Sequence, residues 1–350
     1  MKTIYINGKF LTQKITGVQR VARELVFRLD KLAANQEQLS FVLLVPEDYD
    51  KSFALSSIKT EVVHGNGGYV WEQIKLPKYL KKKKDYFLLS LCNISPLALR
   101  NKNIVTMHDL AVVHHPEFFS KKFVMIYRYI FKRQAKFSPL ILTDSLTSKN
   151  DIVSHYKIDD AKVKIIWPAS FKTDAQALQA KRLETMLNKG LCFSVGSASP
   201  NKNMKYVFAC ARRNPQYTFL LSGGRSKAFA KSEGVDTMPE NVRYLGYLSD
   251  DELRYVYSKC EFFLFPSIYE GFGLPPLEAA TYGCKKIIVS DIPTMHEIFG
   301  GDVNYINPLD YENVVNLDAV KEYDYRNLHD KFSWDASAKA LMDCLIEVAK

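Results

Sequence analysis

The chain has 350 residues, of which 47% are hydrophobic and 25% are charged, and its formal net charge is +10. This is the composition of a folded soluble protein, and the length is sufficient for two domains that each bury a core. No apolar run approaches the roughly 18 residues of a membrane-spanning helix, and the N-terminus lacks the apolar segment of a signal peptide. The six cysteines include no C-x-x-C pair, which favours reduced thiols in the cytoplasm over a disulfide framework.

The positive charge is concentrated in the first half of the chain. Residues 1–168 carry 27 Lys and Arg against 15 Asp and Glu, whereas residues 169–350 carry 21 against 23. This asymmetry suggests two domains with different partners. A basic half predicts an anionic partner, and nucleic acid, anionic lipid and a phosphorylated substrate all fit this charge.

The first predicted elements are a strand, TIYIN, a loop that ends at Gly17, and a helix, GVQRVARELVFRLDKLAA. A strand, a glycine loop and a helix in this order present the N-terminus of the helix to a phosphate. Gly17 is therefore a candidate phosphate contact. The alternative for Gly17 is a plain turn.

Short apolar runs recur along the chain, and helical segments lie between most of them. The runs cover 40–45, 61–64, 86–91, 103–108, 139–144, 162–167, 192–196, 217–223, 242–246, 262–267, 286–290 and 303–307. Short apolar strands that alternate with helices predict the α/β class, with parallel sheets covered on both faces. Helices are expected near 70–84, 119–137, 146–156, 203–213, 249–258 and 275–283.

The periodicity lapses between Pro168 and about Gln176, where we expect a linker. This predicts two domains, 1–168 and 169–332, and an amphipathic C-terminal helix, 333–350, that begins at a Ser333 cap. In open α/β sheets ligands bind at the carboxyl ends of the strands. Two such domains therefore predict a cleft between them.

The most informative stretch is FPSIYEGFGLPPLEAATY, residues 265–282. It reads as a strand end, a glycine-rich turn and a helix that starts at Pro275 or Pro276. The free N–H groups and the dipole of such a helix form a seat for an anion such as a diphosphate. Glu270 and Glu278 flank this seat and can accept hydrogen bonds from hydroxyls. The stretch therefore suits a sugar attached to a nucleoside diphosphate.

Other candidates follow strand ends. His108 closes the run 103–108, where we expect it to be exposed and to bond a substrate hydroxyl or transfer a proton, unless it is a structural link between loop and strand. Gly196 ends the run 192–196, and Lys202 then offers a point charge to phosphate. Arg225 follows the run 217–223 and could add a bidentate phosphate contact. The alternative for both cations is a solvated surface charge. No His or Cys set has metal-ligand spacing, so no metal site is expected.

Two basic stretches remain, the four lysines Lys81–Lys84 and the segment 121–137, KKFVMIYRYIFKRQAKF. A basic amphipathic helix beside a lysine cluster is typical of proteins that bind an anionic membrane surface. The alternative is a solvated face over a core stripe. No zinc finger or RNA-recognition motif supports nucleic acid as the partner.

With these motifs in view, the chain resembles a family 4 glycosyltransferase with the GT-B fold. The resemblance runs nearly end to end, through TGVQRVARELV, MHDL, TDSLTSKNDI, VGSASPNKN, LGYLSDDELRYVYSKCEFFLFPSIYEGFGLPPLEAATYG and PTMHEIFG. It implies two Rossmann-like domains with a cleft between them. The N-terminal domain would face the acceptor, the C-terminal domain would hold an activated-sugar donor, and the last helix would cross back to the first domain.

The resemblance also implies roles for single residues. It places Gly17 and Lys202 near the donor diphosphate, His108 beside the transferred sugar, Glu270 on the sugar hydroxyls, the backbone of Gly271, Phe272, Gly273 and Leu274 near sugar and phosphate, Glu278 on the ribose, and Tyr247 and Leu248 near the base. The family retains the anomeric configuration and needs neither metal nor cofactor. The implied mechanism is a front-face substitution in which the leaving diphosphate takes the acceptor proton.

One departure from the family pattern concerns the phosphate. Many relatives carry arginines at two positions before the phosphate lysine, where this chain has Ser197 and Asn201. We therefore expect Lys202, backbone amides and either Arg225 or Arg20 to hold the diphosphate.

These observations predict a retaining glycosyltransferase of bacterial surface polysaccharide assembly. Its partners would be a nucleoside-diphosphate sugar and a saccharide acceptor carried on a lipid, at the inner face of the cytoplasmic membrane. GDP-mannose, dTDP-rhamnose and UDP-hexoses all remain open as donors. Two alternatives stand beside this prediction: a GT-B epimerase of a UDP-sugar, and a module that binds nucleotide sugars or polyanions without catalysis.

Overall fold

The computed structural model describes residues 1–170, 183, 190–196, 199–224 and 238–350, with the side chain of His329 excepted. The chain forms two compact units. The first consists of Met1–Pro168 and Phe332–Lys350, and the second of Ala169–Lys331. The expected linker beyond Ser170 lies outside the described residues.

The first unit contains a sheet of seven parallel strands. They are β1 (Lys2–Asn7), β2 (Leu39–Val45), β3 (Lys59–Val62), β4 (Tyr86–Ser90), β5 (Asn103–Thr106), β6 (Leu140–Thr143) and β7 (Val163–Ile165), in the order β3-β2-β1-β4-β5-β6-β7. Every residue of β5 and β6 is buried, as expected for central strands covered on both faces. The order reverses between β1 and β4, which pair directly.

Helices that belong to this unit include α1 (Gly17–Ala33), α2 (Leu76–Leu80), α3 (Ala111–His114), α4 (Lys121–Phe137) and α5 (Leu146–Tyr156). The helical segment predicted near 70–84 is present but ends earlier, at Leu80. A π-helical turn, Trp71–Lys75, leads into α2, which ends before the four lysines. Asp85 has a positive φ of 47° there and turns the chain into β4.

The second unit contains six parallel strands and its own helices. The strands are β8 (Leu191–Val195), β9 (Thr218–Ser222), β10 (Val242–Gly246), β11 (Phe262–Phe265), β12 (Lys286–Ser290) and β13 (Asn304–Ile306), in the order β10-β9-β8-β11-β12-β13. The helices include α6 (Met204–Arg213), α7 (Asp250–Lys259), α8 (Leu274–Thr281), α9 (Pro293–Phe299) and α10 (Leu328–Lys331). The core packs the apolar face of α6 against β9 and β11.

The C-terminal helix, α11 (Trp334–Ala349), belongs to the first unit and contacts α1. Arg28 of α1 donates to Asp335 at 2.6 Å, and the Ser337 hydroxyl donates to the carbonyl of Trp167 at 2.5 Å. Ser333 occupies the N-cap position, but its side chain makes no capping hydrogen bond.

The predicted α/β class with two parallel sheets is confirmed by this topology. Each sheet reverses its strand order once, at β1/β4 and at β8/β11. Such reversals are where open α/β sheets bind ligands. Within the described residues, no helix has both the length and the apolar character needed to cross a bilayer.

Candidate functional site

An ion pair marks the reversal point of the second sheet. Lys202 lies in a short turn after β8, and Glu270 lies in the loop after β11, the strand beside β8. Lys202 Nζ is 2.5 Å from Glu270 Oε1, and the two side chains are 19% and 14% exposed. The pair therefore places a cation and a hydroxyl acceptor at the carboxyl edge of the sheet, within reach of solvent.

Two neighbours position the lysine. A Cβ atom on Gly196 would lie 3.0 Å from Lys202 Cγ, so glycine leaves room for the lysine stem. The Lys202 ammonium also lies 5.1 Å from the ring centroid of Phe265 at the end of β11, a cation–π distance. Gly196 therefore has a packing role that its position after a strand did not show.

Asn203 is a site residue that the sequence interpretation missed. It adopts a left-handed conformation with φ of 53°, which asparagine tolerates better than most residues. Its Nδ2 donates to the carbonyls of Pro266 at 3.1 Å and Pro308 at 2.7 Å. The N–H of Ile268 donates to the carbonyl of Asn201 at 2.9 Å. These bonds tie the lysine turn to the glutamate loop, and only the Asn-Lys-Asn string of the turn hinted at them.

Residues of α9 contact the glycine turn between β11 and α8. The Thr294 hydroxyl donates to the carbonyl of Glu270 at 2.8 Å. Gly273 has a positive φ of 128° and is the N-cap of α8, and a Cβ atom there would clash with Met295 Cε. The helix begins at Leu274, so the prediction of a start at Pro275 or Pro276 is wrong by one or two residues.

The remaining residues of the turn, Gly271 and Phe272, are buried. Phe272 is 4% exposed, so its ring packs inside the unit. The backbone N–H groups at the start of α8 are those that a helix leaves without partners of its own.

Glu278 lies in different surroundings from Glu270. It is 7% exposed, and its Oε2 accepts a hydrogen bond from the hydroxyl of Tyr257 at 3.2 Å. Tyr257 comes from α7 and is itself buried. The two acids that the sequence predicted to flank one anion seat thus lie in different surroundings. Glu270 is partly exposed beside a lysine, and Glu278 is buried beside a tyrosine.

The loops after β9 and β10 lie side by side. Tyr247 is 61% exposed, and its hydroxyl packs so closely on Gly224 that a Cβ atom there would lie 2.6 Å away. Leu248 is half-buried beside it. Arg225 and Ser197 lie outside the described residues, so what was predicted for these two positions stays a prediction.

His108 follows β5 in the first unit, as predicted, but the expectation that it is exposed is wrong. It is 3% exposed. Its Nδ1 lies 2.7 Å from Asp144 Oδ2, and its Nε2 lies 3.0 Å from the carbonyl of Leu91. A carboxylate and a carbonyl both accept hydrogen bonds, so both ring nitrogens donate and the ring is an imidazolium.

The charge balance at His108 agrees with this assignment. Burial by itself lowers the pKa of His108, but the charge and hydrogen bond of Asp144 outweigh it, and the pKa is raised above the usual 6.5. Both ring nitrogens of His108 are engaged with protein oxygens in this structure, so neither faces a substrate proton.

Gly17 begins α1, as the sequence predicted. It is exposed, and a Cβ atom on it would meet nothing within 4 Å. The backbone N–H of Thr16 donates to Gln19 Oε1 at 3.2 Å and closes this helix end. Packing thus gives no reason for a glycine here, and its predicted contact with a phosphate stays a prediction.

Groups of three or more His, Cys, Asp or Glu that could hold a metal ion are absent from the part of the chain that the structure describes. The expectation that the protein uses neither metal nor cofactor stays a prediction. The six cysteines are all free thiols.

Comparison with known proteins supplies the family. The model of the family "Glycosyl transferases group 1" matches residues 176–317, which lie in the second unit and include Lys202, Glu270 and Glu278. The chain is 32% identical over 217 residues to the O-antigen chain mannosyltransferase RfbU of Salmonella typhimurium, a match that covers 61% of this chain and 58% of that relative.

A second relative matches over almost the whole length. The O-antigen chain mannosyltransferase B of Escherichia coli is 25% identical over 353 residues, covering 93% of this chain and 90% of the relative. The family match and the two relatives together support a glycosyltransferase, with the group 1 match confined to residues 176–317.

The fold of this chain is also found among solved structures. Anabaena Alr3699/HepE, solved in complex with UDP and glucose, superposes with a TM-score of 0.67 at 15% identity, over 99% of both chains. This likeness confirms the GT-B fold that the resemblance implied. The family and fold predictions are therefore both confirmed.

Proposed function

We propose that this glycosyltransferase transfers mannose from a nucleoside-diphosphate sugar to a lipid-linked saccharide, with retention of configuration, during assembly of a bacterial surface polysaccharide. The observation that carries the proposal is the Lys202–Glu270 pair at the reversal point of the second sheet. The choice of mannose rests on two relatives that are named O-antigen chain mannosyltransferases.

The chemistry of the pair fits a sugar diphosphate. An ammonium group binds phosphate oxygens, and a carboxylate accepts hydrogen bonds from sugar hydroxyls. The two groups are 2.5 Å apart and only partly exposed, so a ligand that separates them meets a cation and an acceptor side by side. Lys202 would bind the diphosphate oxygens, and Glu270 would accept hydrogen bonds from the sugar hydroxyls.

The rest of the donor follows from the neighbouring elements. Gly273 and Leu274 keep backbone N–H groups at the start of α8, where the two prolines that follow have none, and these two groups suit the diphosphate. Glu278, which already accepts from Tyr257, is assigned to the ribose, and the exposed Tyr247 with Leu248 is assigned to the base. These assignments follow the family pattern residue by residue.

The proposed reaction is a substitution at the anomeric carbon on the face of the leaving group. The acceptor oxygen forms a bond to that carbon, the bond from carbon to the diphosphate oxygen breaks, and the acceptor proton passes to the leaving diphosphate. Lys202 and the amides of α8 stabilise the negative charge that grows on this group.

His108 has a different role in this proposal. Because both of its ring nitrogens donate to protein oxygens, we assign it to holding the carboxyl edge of the first sheet and not to proton transfer. This positioning role does not require His108 to act as a base.

A surface suited to an anionic membrane supports the proposal of a lipid-linked acceptor. The outer face of α4 exposes Met125 by 67%, Ile126 by 41% and Tyr129 by 57%, among exposed lysines of the same helix. Of the four-lysine run, Lys81, Lys82 and Lys84 are also exposed. Apolar side chains surrounded by cations are typical of helices that lie in a membrane interface.

One assay separates this proposal from the two alternatives. The protein is incubated with GDP-mannose, dTDP-rhamnose or UDP-glucose, with and without the lipid-linked saccharide fraction of cells that lack the protein. The proposal predicts that mannose enters that fraction in the same anomeric configuration as in the donor, as read by NMR.

An epimerase would instead change the donor sugar without any acceptor, and a binding module would leave every donor intact. Either result would overturn the proposal. The group 1 family match and the mannosyltransferase relatives favour transfer over both alternatives.

A further inference from the structure

A second lysine–glutamate pair lies in the first unit, where the order of its sheet also reverses. Lys9 follows β1, and Glu72 lies in the π-helical turn before α2. Lys9 Nζ is 2.5 Å from Glu72 Oε2, and the side chains are only 9% and 2% exposed. The proposed reaction assigns no role to either residue.

The pair is held by the ends of two neighbouring strands. Asn7, the last residue of β1, donates from Nδ2 to Glu72 Oε1 at 2.9 Å and to the Ser90 hydroxyl at 3.4 Å. Its Oδ1 accepts from the backbone N–H of Lys9 at 3.2 Å. Burial raises the pKa of Glu72, and the charge of Lys9 opposes it. Both carboxylate oxygens are thus engaged at the carboxyl edge of the sheet.

Stability alone is a weak reason for such a pair. Two charges lose their hydration on burial, and apolar side chains of similar volume usually stabilise a fold as well. A buried charge pair at the ligand-binding edge of a sheet is a candidate functional site. The Lys9 ammonium also lies 4.9 Å from the ring centroid of Tyr69, which is 61% exposed. A buried cation therefore sits directly beneath an exposed aromatic ring.

We propose that Tyr69, Lys9 and Glu72 form a subsite for the acceptor saccharide. Tyr69 turns from the ammonium onto the apolar face of a sugar ring, and Lys9 donates to a sugar hydroxyl. Glu72 and Asn7 are positioning residues that keep the ammonium at the edge of the sheet. The subsite rests on the proposed function, because the ligand it takes is the acceptor of that reaction.

The chemistry of the ligand follows from that of these side chains. Aromatic surface with a few fixed polar groups is the usual lining of a small-molecule site. Because the Lys9–Glu72 pair is buried and costs much to separate, Lys9 keeps its counter-charge and suits a neutral hydroxyl better than a second anion. This favours a saccharide over a free phosphate.

The test uses substitutions with a matched control. Tyr69→Ala removes the exposed ring, and Val70→Ser, at a neighbour that is 64% exposed, removes exposed apolar surface without touching Lys9. Lys9→Met combined with Glu72→Gln removes both charges while glutamine still accepts from Asn7, which guards against misfolding. Transfer to the lipid-linked saccharide fraction is measured at varied acceptor and varied donor.

The expected result is a selective rise in the half-saturating acceptor concentration. The double variant should raise this concentration about 10- to 100-fold, because a hydrogen bond from a charged group is lost. Tyr69→Ala should raise it about tenfold, and neither variant should change the donor KM much. Val70→Ser should behave as the wild type. The thermal unfolding midpoint of each variant checks that the fold is intact.

Three results would overturn the subsite. In the first, Tyr69→Ala and the double variant leave the half-saturating acceptor concentration unchanged. In the second, these variants raise only the donor KM. In the third, Val70→Ser has the same effect as Tyr69→Ala, as a lipid-contacting surface would require. Each leaves the proposed function standing. If the wild-type protein transfers no sugar to the fraction from any of the three donors, the proposed function fails and the subsite with it.

Discussion

The two lysine–glutamate pairs differ mainly in their access to solvent. Each pair joins residues at the reversal point of a parallel sheet, and each has an N···O distance of 2.5 Å. The Lys202–Glu270 side chains are 19% and 14% exposed, whereas the Lys9–Glu72 side chains are 9% and 2% exposed. The same pair of side chains therefore occurs near the reversal points of both sheets, but at different depths.

This difference in depth suggests different roles. A partly exposed pair can exchange its internal contact for a ligand at modest cost, since its desolvation is incomplete. A buried pair costs much more to break, because one charge is left without a partner in a medium of low dielectric constant. Lys202 and Glu270 thus suit direct contact with a donor, and Glu72 suits holding a lysine in place.

The largest effect is expected when the exposed pair loses its carboxylate. Glu270→Ala should lower sugar transfer about 100- to 1000-fold, the cost of losing a fixed contact that stabilises the transition state. The matched control is Glu261→Ala, since Glu261 pairs with Lys286 at 2.8 Å in the same unit. Initial rates of transfer at saturating donor measure both. Equal losses of transfer rate in the two variants would contradict a specific role for Glu270.

A buried charge pair in the first unit should mainly affect stability. Asp144→Asn leaves the His108 imidazolium without its counter-charge and should destabilise the protein by about 3 kcal/mol. Because Asp144 raises the pKa of His108, the wild-type pair contributes fully below about pH 6.5, and its contribution declines as the pH rises through the raised pKa. Urea unfolding at pH 6 and at higher pH measures the difference between the two proteins.

The gap between wild type and Asp144→Asn should therefore be widest near pH 6 and narrow as the pH increases. Asp151→Asn is the control, because Asp151 lies 3.6 Å from His114 in a pair that is about one-third exposed. It should change stability little. A gap that widens with pH would contradict an imidazolium at His108.

Removal of the cation of the exposed pair should weaken donor binding. Lys202→Met should raise the donor KM about 10- to 100-fold, because a charged hydrogen bond to phosphate contributes about 1.5–3 kcal/mol. Lys286→Met removes an equally paired lysine, 22% exposed, from the same unit and should have little effect. Steady-state kinetics at fixed acceptor distinguishes the two. An unchanged donor KM in Lys202→Met would remove the phosphate role from this residue.

The glycine turn allows backbone strain and steric clash to be separated. Gly273→Ala should destabilise the second unit by about 1–3 kcal/mol, because φ is +128° and the new methyl group would also clash with Met295. Gly283→Ala has a φ of +94° but meets nothing within 4 Å, so it should cost only the strain. Thermal unfolding of both variants measures this difference. Equal destabilisation of the two variants would mean that α9 moves to accommodate the new methyl group without loss of stability.

The smallest effect concerns the surface of the first unit. Met125→Ser with Ile126→Ser should lower binding to vesicles that contain anionic lipid about tenfold, since each buried apolar side chain contributes about 1 kcal/mol or more at an interface. Phe27→Ser, at a residue of α1 that is 42% exposed, is the control. Sedimentation with vesicles measures both. A wild-type protein that does not sediment would remove the membrane contact.

The strands were predictable because nearly every one is a short apolar run, and central parallel strands are apolar on both faces. The presence of Lys202 and Glu270 on one sheet edge was predictable for the same reason, since each follows a strand. Their direct contact was not, because it depends on Asn203 and its distant carbonyl partners.

The burial of charged side chains was hidden from the sequence. His108 looked exposed because its partner, Asp144, is 36 residues away. Lys9 and Glu72 drew no attention because a periodicity argument assigns charged residues to the surface. Both errors arise from tertiary hydrogen bonds, which offset the cost of burying a charge and leave no local pattern.

The central claim is that the donor binds at the Lys202–Glu270 pair, and calorimetric titration with GDP-mannose tests it most directly. Three proteins are compared: wild type, Lys202→Met with Glu270→Ala, and Lys286→Met with Glu261→Ala, which removes the matched surface pair. We expect wild type and the surface-pair variant to bind with the same Kd, and the site variant to bind at least about 100-fold more weakly. Equal affinity in all three would contradict the claim.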